Sequence, residues 1–388
     1  MDVILGGGIA AVTMYASARW NPTVSEKKKI IQTLINIGFT VKDQGPKLFK
    51  INKKEYWIDY IYNVPFGKID DEDTQPILEK TLGKPVKVHF KQKLFIRVYN
   101  DQLQKKVQYK DFPALEGWSI PVGKTQEEIL YHDFDEIPHL TIAGATRWGK
   151  TVFMKAMITH LIENHPDDVE FYILDLKSGL AFHRYNNLKQ VKVVADDYKS
   201  SAAALKEVER DIKKTMQEFK PKYYENITET DIPIRKFIII DEAGELMPDK
   251  SMSEADKEHA RTCRRIMSHI ARVSGGLGYR MIFGTQYPTK EVMDNQIKAN
   301  ASAKISFRLQ TGVQSKVAID ETGAEKLEYP GRAIYKTVDN HIVQTPFISN
   351  AEMWKRLRRY EEKNVAAREE TEKRGTDTIS FGESNIFH

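Results

Sequence analysis

The feature that most constrains this chain is the segment Gly144-Ala145-Thr146-Arg147-Trp148-Gly149-Lys150-Thr151, which fits the pattern G-x-x-x-x-G-K-[ST]. It follows the apolar run 140–143 and precedes a helical pattern over 152–162, so it joins a strand to a helix. Glycines let backbone N–H groups curl round phosphate oxygens, and the helix N-terminus adds partial positive charge. The segment therefore predicts a nucleotide-binding loop, in which Lys150 neutralises the β- and γ-phosphates of ATP and Thr151 ligates Mg²⁺.

Two carboxylates, Asp241 and Glu242, follow the apolar run Phe237–Ile240. Open α/β sheets bind ligands at the carboxyl ends of their strands, so these side chains are expected beside the nucleotide. We expect Asp241 to help bind the nucleotide by holding Mg²⁺, and Glu242 to polarise the attacking water. An Asp-Glu pair favours a hydrolase over a kinase. By itself the pair is also typical of a helix cap or a surface turn.

A third polar position, Gln286, follows the predicted strand Met281–Gly284. Two interpretations are open for this glutamine. Its amide can sense the γ-phosphate or orient water, which would make it part of the catalytic set. It can instead cap the turn before Pro288.

From Pro138 onward the residue pattern changes, and apolar runs begin to alternate with helical patterns. The first five runs are short, nearly continuous and flanked by glycine or polar residues, as buried parallel strands are. With helices such as Lys199–Phe219 between them, they predict an α/β domain with a mostly parallel, doubly wound sheet. The predicted strands are His139–Ala143, Glu170–Leu174, Val191–Val194, Phe237–Ile240, Arg280–Gly284, Lys304–Leu309 and Gly331–Tyr335.

Upstream of this domain, shorter elements predict a small α+β module over residues 26–115. The expected order is helix 26–36, strands 47–51 and 56–64, helix 74–82 ended by Gly83, and strands 86–90 and 94–99. Residues 1–25 form an apolar segment, either an amphiphilic start or the remnant of a membrane anchor. The main domain is expected over 116–348, and a charged tail over 349–388.

Composition sets broad limits on the function. A hydrophobic share of 41% with 29% charged residues excludes a mostly disordered chain, and the single cysteine, Cys263, excludes an internal disulfide. The net charge of +5 arises entirely within residues 1–130. This basic excess is either a handle for an anionic surface or a solvated lysine-rich face.

Several segments resemble the FtsK/SpoIIIE family of DNA translocases. Residues 137–151 look like its Walker A segment, and Asp175-Leu176-Lys177 is similar to its Asp-x-Lys after the second strand. The resemblance spans about residues 118–348 in collinear order, and the upstream module is similar to that of the conjugative coupling proteins of Gram-positive mobile elements. Further similar segments are Ile270–Gly275, Ile297–Arg308 and Gly323–Leu327.

The resemblance implies a RecA-like P-loop ATPase that assembles as a homo-hexameric ring around DNA. It matches Arg272 to the arginine finger that enters a neighbour's ATP site, and Arg308 and Arg332 are competing candidates. As a coupling protein, the chain is expected to bind DNA, to meet a relaxase or other transfer-complex proteins, and to serve a membrane channel. The expected location is the cytoplasm, with the inner face of the membrane as the site of any contact by residues 1–25.

The chain also departs from this family. Arg147 and Trp148 replace a small Gly-Ser pair, and we expect their bulk to point outward from the loop. Tyr287 replaces the arginine that usually follows the glutamine. The family's winged-helix domain is not expected, because residues 349–388 are too few to form one.

Three functions are open at this point: a DNA pump, a secretion ATPase acting on protein substrates, and an ATP-dependent scaffold without motor activity. A pump needs basic residues facing a channel. The segment after Asp241 offers five candidates, which a solvated helix face explains equally well. They are Lys250, Lys257, Arg261, Arg264 and Arg265.

Overall fold

The computed structural model describes residues 25–362 apart from residues 43, 66–72, 178 and 294. The chain divides into two compact units, the first ending at Leu103 and the second beginning at Gln104. The predicted apolar segment therefore lies outside the described residues except for Ser25, as does the tail beyond residue 362. Within the described ranges, no helix is both long and apolar enough to cross a bilayer.

The first unit is a four-stranded antiparallel sheet with two helices on one face. Ile30 and Leu34 of the first helix and Leu78 of the second pack in one core with Tyr62 and Ile96 of the sheet. Gly83 ends the second helix with a left-handed φ of 65°, as the sequence predicted. The elements are α1 (Glu26–Asn36), β1 (Lys47–Lys53), β2 (Trp57–Asn63), α2 (Thr74–Leu82), β3 (Val86–Phe90) and β4 (Leu94–Tyr99), and the strand order is β1-β2-β4-β3.

The second unit is built on a ten-stranded sheet in the order β10-β9-β11-β12-β8-β13-β14-β15-β6-β7. The first six strands in that order run parallel, and the other four join by antiparallel pairing. The sheet strands are β6 (Ser119–Lys124), β7 (Ile129–Asp133), β8 (Leu140–Ala143), β9 (Val169–Leu174), β10 (Val191–Ala195), β11 (Arg235–Ile240), β12 (Tyr279–Thr285), β13 (Ala303–Phe307), β14 (Arg332–Lys336) and β15 (Asn340–Gln344).

Helices cover both faces of the parallel half, which confirms the predicted α/β class. Phe237 and Ile239 of β11 pack in one core with Phe153, whereas Ile238 and Ile240 pack in the other core with Leu205. The alternation follows from the two-residue repeat of a strand. The helices are α3 (Lys150–Asn164), α4 (Tyr198–Phe219), α5 (Glu254–Val273), α6 (Asn295–Asn300), α7 (Gly312–Ile319) and α8 (Asn350–Leu357).

Two segments lie elsewhere than the sequence indicated. Residues 104–115, grouped above with the small module, carry strand β5 (Val107–Gln108), which pairs with β16 (Pro346–Phe347) in the second unit. Helix α8 begins at Asn350, because the Ser349 side chain accepts a hydrogen bond from the Glu352 amide and caps it. Met353 and Leu357 of α8 join the core that contains α3, so this helix belongs to the folded unit.

Candidate nucleotide site

The segment 144–151 forms the loop between β8 and α3, as the sequence predicted. Gly144 has no alternative, because a Cβ there would lie 2.7 Å from the Cβ of Phe307. Gly149 has a left-handed φ of 115°, and a Cβ there would lie 3.1 Å from the backbone of Gly331. The loop begins with a hydrogen bond from the Ala145 amide to the carbonyl of Arg308, at 2.9 Å. The fold therefore needs glycine at both ends of this loop.

The loop opens on a cavity of about 460 Å³ in the second unit. One side of the cavity is the loop itself with Gln286. The other side comes from the residues just before β5, the residues just before β14, and the chain from the end of β15 through β16. A cavity of this size suits a small-molecule ligand. The lining residues are Lys105, Lys106, Ala145, Thr146, Arg147, Gly149, Lys150, Thr151, Val152, Gln286, Pro330, Gly331, Gln344, Thr345, Pro346 and Phe347.

Lys150, which lines this cavity, pairs with Asp241, 91 positions further along the chain. The Lys150 Nζ lies 2.8 Å from the Asp241 Oδ1 and also donates to the Asp241 carbonyl. Both residues are buried, with 3% of each exposed. A buried ammonium needs an anionic partner, and here the Asp241 carboxylate is that partner.

The Thr151 Oγ1 lies 3.5 Å from the same Asp241 oxygen. A hydroxyl and a carboxylate converging beside a phosphate-binding loop supply the oxygen ligands that Mg²⁺ takes in such sites. Nearby, the buried Oδ1 of Asp175 has no hydrogen-bond partner within the described part of the chain. Burial, with a contribution from Asp241, raises the pKa of Asp175. The donor set therefore fits the predicted ion.

Glu242 is buried beside Asp241 and is held by three hydrogen bonds. Its Oε1 accepts from the Thr285 hydroxyl at 2.9 Å and from the Gly244 amide at 3.3 Å, and its Oε2 accepts from the Gln286 amide at 2.9 Å. Burial raises the pKa of this carboxyl, while Lys150 and the hydrogen bonds act in the opposite direction. The result is an oriented carboxylate with increased basicity, as a general base requires.

Gln286 lies between the loop and a lysine that the sequence analysis did not assign to the site. Its Oε1 accepts from the Thr146 hydroxyl at 2.8 Å and from the Lys177 Nζ at 2.7 Å. In the sequence, Lys177 is distinguished only as part of the segment Asp175-Leu176-Lys177. The strand order could have found it, because β9 and β12 flank β11 and their carboxyl ends share one edge.

Trp148 does not extend outward with Arg147, so that expectation is wrong for the tryptophan. Its side chain is half-buried and packs against the core, with the Arg308 guanidinium 4.8 Å from the ring. Its carbonyl accepts from the Gly331 amide at 2.9 Å. Arg147 is exposed and has a left-handed φ of 69°. Tyr287 is 60% exposed, beyond the edge of the site.

The three candidate finger arginines differ in what they contact. Arg308 donates to the Leu327 carbonyl at 3.0 Å, and Arg332 donates to the Gln344 side chain at 3.0 Å and to the Gln104 carbonyl at 2.8 Å. Arg272 is exposed at the end of α5 and forms no hydrogen bond or ion pair with any residue that the structure describes. Arg272 is thus the one of these three available to a neighbouring molecule.

The five basic residues proposed for DNA contact lie on or just before α5, and four have partners in their own chain. Arg265 pairs with Glu209 at 2.8 Å, and Arg264 donates to the Glu291 carbonyl at 2.9 Å. Lys257 pairs with Glu254 at 2.7 Å, and Arg261 lies 3.7 Å from Glu258. The helix face is therefore mixed in charge, as a solvated face would be.

The fold and the site define a P-loop nucleotide-binding protein of the doubly wound α/β class. Its two carboxylates follow β11, and β12 lies between β11 and β8, the strand that precedes the loop. Residues 102–282 match the profile of the FtsK/SpoIIIE family. Over this range the chain is therefore similar to the ATPase domain of that family.

Among curated relatives, the chain is similar to the DNA translocase FtsK of Lactiplantibacillus plantarum, with 26% identity over 351 residues that cover 82% of this chain and 42% of that protein. It is also similar to the DNA translocase FtsK of Streptococcus pneumoniae, with 28% identity over 252 residues that cover 60% of this chain and 32% of that protein. The chain thus spans less than half the length of these relatives.

Two solved structures share the fold. The pCW3 conjugation coupling protein TcpA, in a monomer form with ATPγS, has a TM-score of 0.64 and 20% identity, covering 86% of this chain and 99% of that one. The cytoplasmic domain of the type VII secretion ATPase EccC from Thermomonospora curvata has a TM-score of 0.52 and 18% identity, covering 64% of this chain and 31% of that one.

Proposed function

We propose that this chain hydrolyses ATP to move DNA, as the coupling protein of a conjugative transfer system. The observation that carries the proposal is the buried group formed by Lys150, Asp241 and Glu242 beside the phosphate-binding loop. It combines a cation, an ion-binding carboxylate and a basic carboxylate at one strand tip. The names of the relatives, DNA translocases and a conjugation coupling protein, support the choice of DNA as the cargo.

In the proposed reaction, Lys150 leaves its bond with Asp241 and neutralises the β- and γ-phosphates. Thr151 and Asp241 would hold Mg²⁺, which neutralises phosphate charge when bound. Glu242 accepts a proton from the water that attacks the γ-phosphorus, the bond from that phosphorus to the β–γ bridging oxygen breaks, and ADP leaves with that oxygen. Gln286, held by Lys177 and Thr146, senses the γ-phosphate. Each of these side chains is already oriented by a hydrogen bond or ion pair.

The site is proposed to be completed by a neighbouring copy in a homo-hexameric ring. Arg272 is the donor in this proposal, since Arg308 and Arg332 are engaged within their own chain. Its guanidinium would stabilise the charge that develops on the transferred phosphoryl group. Ring, relaxase and membrane-channel partners, and a location in the cytoplasm at the membrane, belong to the same proposal.

A secretion ATPase acting on proteins is the second candidate, favoured by the shared fold with the type VII secretion ATPase EccC. ATP turnover with and without DNA separates the two. We expect duplex or single-stranded DNA to raise turnover by the purified chain, and Lys150→Ala to remove turnover under all conditions. Turnover that no DNA changes, but that a secreted protein raises, would contradict the DNA motor and favour the second candidate.

A further inference from the structure

Both described helices of the first unit pack on one face of its sheet, and neither of them covers the opposite face. Tyr60 and Tyr62 of β2 point into the helix-covered core, so by strand alternation Ile61 points to the opposite face. The strand register places Lys50 on one side of Ile61 and Phe95 on the other. We call this the outer sheet face, and its side chains include Phe49, Lys50, Trp57, Asp59, Ile61, Lys87, His89, Lys93, Phe95 and Arg97.

Aromatic rings lie exposed on this face. Phe49, at the irregularity in β1, is 56% exposed, and Phe95 on β4 is 37% exposed. Strands β1 and β4 lie on either side of β2, so the two rings stand about two interstrand steps, or roughly 10 Å, apart. The two exposed rings therefore share one sheet face, and exposed apolar side chains that share a face can mark a binding surface.

Basic groups lie among these rings. The Lys93 Nζ lies 3.1 Å from the centre of the Phe49 ring, and the Arg97 guanidinium lies 4.4 Å from that of Trp57. Lys50 and Lys87 are exposed beside them. Asp59, which pairs with Arg97 at 2.7 Å, is the acidic residue within the outer sheet face as defined above. Aromatic rings and cations thus share a face with net positive charge.

We propose that the outer sheet face binds single-stranded nucleic acid. Bases would stack on Phe49 and Phe95, and Lys50, Lys87 and Lys93 would bind the phosphates between them. A flat ring can stack only on a base that is not already stacked in a duplex, so the face selects single strands. An acidic protein surface could pair with the same cations, but stacking on bases predicts a dependence on the bases of the ligand that the test below measures. The proposal also gives a function to the excess of basic residues within residues 1–130, which is to attract the phosphates of the nucleic acid.

The test measures the binding of a fluorescein-labelled oligothymidylate to the full chain without ATP, by fluorescence anisotropy. Stacking on one ring is worth a factor of about ten or more in affinity, so the double variant Phe49→Ala/Phe95→Ala should bind the single strand at least tenfold more weakly. The control is Tyr223→Ala, which removes a 90% exposed ring from the second unit and should leave binding unchanged.

An abasic oligomer of the same length and charge separates stacking from charge. Wild-type protein should bind it more weakly than oligothymidylate, and the double variant should bind both alike. The slope of log affinity against log salt concentration gives the number of ions released on binding. Lys50→Gln/Lys87→Gln should lower this number by about one to two, at about 0.7 ion per phosphate contact. Phe49→Leu/Phe95→Leu keeps apolar bulk and loses the rings, which covers the case in which the alanine variant does not fold.

If a folded variant that lacks both rings bound oligothymidylate as tightly as wild type, the proposal would be overturned. It would also be overturned if wild-type protein bound the abasic oligomer as tightly as oligothymidylate. An equal loss of duplex affinity in the ring variants would also overturn it, because the rings would then not act by stacking on unpaired bases. The proposed ATPase is read separately. Turnover without DNA should be unchanged in these variants, so failure of this surface would not be confused with failure of the motor.

Discussion

At the scale of residues, the site depends on two neighbouring carboxylates with different surroundings. Asp241 is paired with the buried ammonium of Lys150 at 2.8 Å. Glu242 accepts three hydrogen bonds in a buried position, where burial raises its pKa. Two adjacent residues of similar chemistry therefore have different surroundings, which supports the different roles that we propose for them, one as an ion ligand and one as a base.

Glu242→Gln should separate binding from hydrolysis. The amide keeps the size of the side chain and can still accept from Thr285, but it cannot take a proton from water. We expect ATP turnover to fall by a factor of about 10² to 10⁴, with the affinity for ATP retained. Single-turnover hydrolysis and filter binding of ATP measure the two quantities. Turnover near that of wild type would remove Glu242 from the role of base.

At the scale of elements, the loop depends on close approaches between backbones. A Cβ at Gly149 would lie 3.1 Å from the backbone of Gly331. Gly331, just before β14, itself has a left-handed φ of 79°. Loop 144–151 and the start of β14 are therefore packed against one another, with a hydrogen bond from the Gly331 amide to the Trp148 carbonyl. Movement of one is expected to disturb the other.

Gly149→Ala tests this packing. The methyl group would meet Gly331 backbone atoms that cannot rotate away, and the φ of 115° disfavours any side chain. We expect ATP affinity to fall at least tenfold, measured by titration calorimetry. Gly117→Ala is the matched control, since Gly117 has a φ of 65° with open space around it. If both variants bind ATP like wild type, the loop does not need this approach.

Buried histidines should make the second unit sensitive to mild acid. Burial lowers the pKa of His139 to about 3, and its Nδ1 accepts from the Met281 amide at 3.0 Å. The folded state therefore disfavours a proton that the unfolded chain binds near pH 6.5, so stability is full above pH 6.5 and is lost as the pH falls toward 3.

His139→Asn keeps an acceptor for Met281 and removes the titration. Between pH 6 and pH 5, we expect the free energy of unfolding to decline less steeply with pH in the variant, by up to about 1.4 kcal/mol per pH unit. Urea titrations at each pH give this slope. Equal slopes in both proteins would show that His139 is not the group responsible.

Some of these elements could be predicted from the sequence and others could not, for identifiable reasons. The parallel strands are continuous apolar runs buried on both faces, so strands such as β11 were evident. Strand β6 contains Pro121 and Gly123, which argue against a strand, yet both flank a register shift. A Cβ at Gly123 would lie 2.7 Å from the Gln344 carbonyl, so a distant residue determines the glycine. The Lys177–Gln286 contact, 109 residues apart, was hidden for the same reason.

At the scale of the whole molecule, the proposal requires copies that complete one another. Lys150 is buried in its own chain, whereas Arg272 is exposed at the end of α5. In the proposed arrangement, the shared site forms where the arginine of one copy reaches the loop of the next. This arrangement would couple hydrolysis in one subunit to the position of its neighbour.

Mixing variants tests that arrangement. We expect Lys150→Ala and Arg272→Ala each to lose most ATP turnover alone, with Arg272→Ala reduced about 10³-fold or more. A mixture of the two should regain turnover, because some interfaces would join an intact Lys150 to an intact Arg272. Arg261→Ala, on the same helix with its own partner at 3.7 Å, is the control and should behave like wild type. Full turnover by Arg272→Ala alone would exclude it as the shared residue.

The most direct measurement of the central claim is movement along DNA. A duplex carries a third strand bound at one end, and the release of that strand is followed over time with ATP and Mg²⁺. If the chain is an ATP-driven DNA motor, wild-type protein should displace the third strand, and Glu242→Gln should bind the duplex without displacing it. ATP turnover by wild-type protein on this duplex with no release of the third strand would contradict the account.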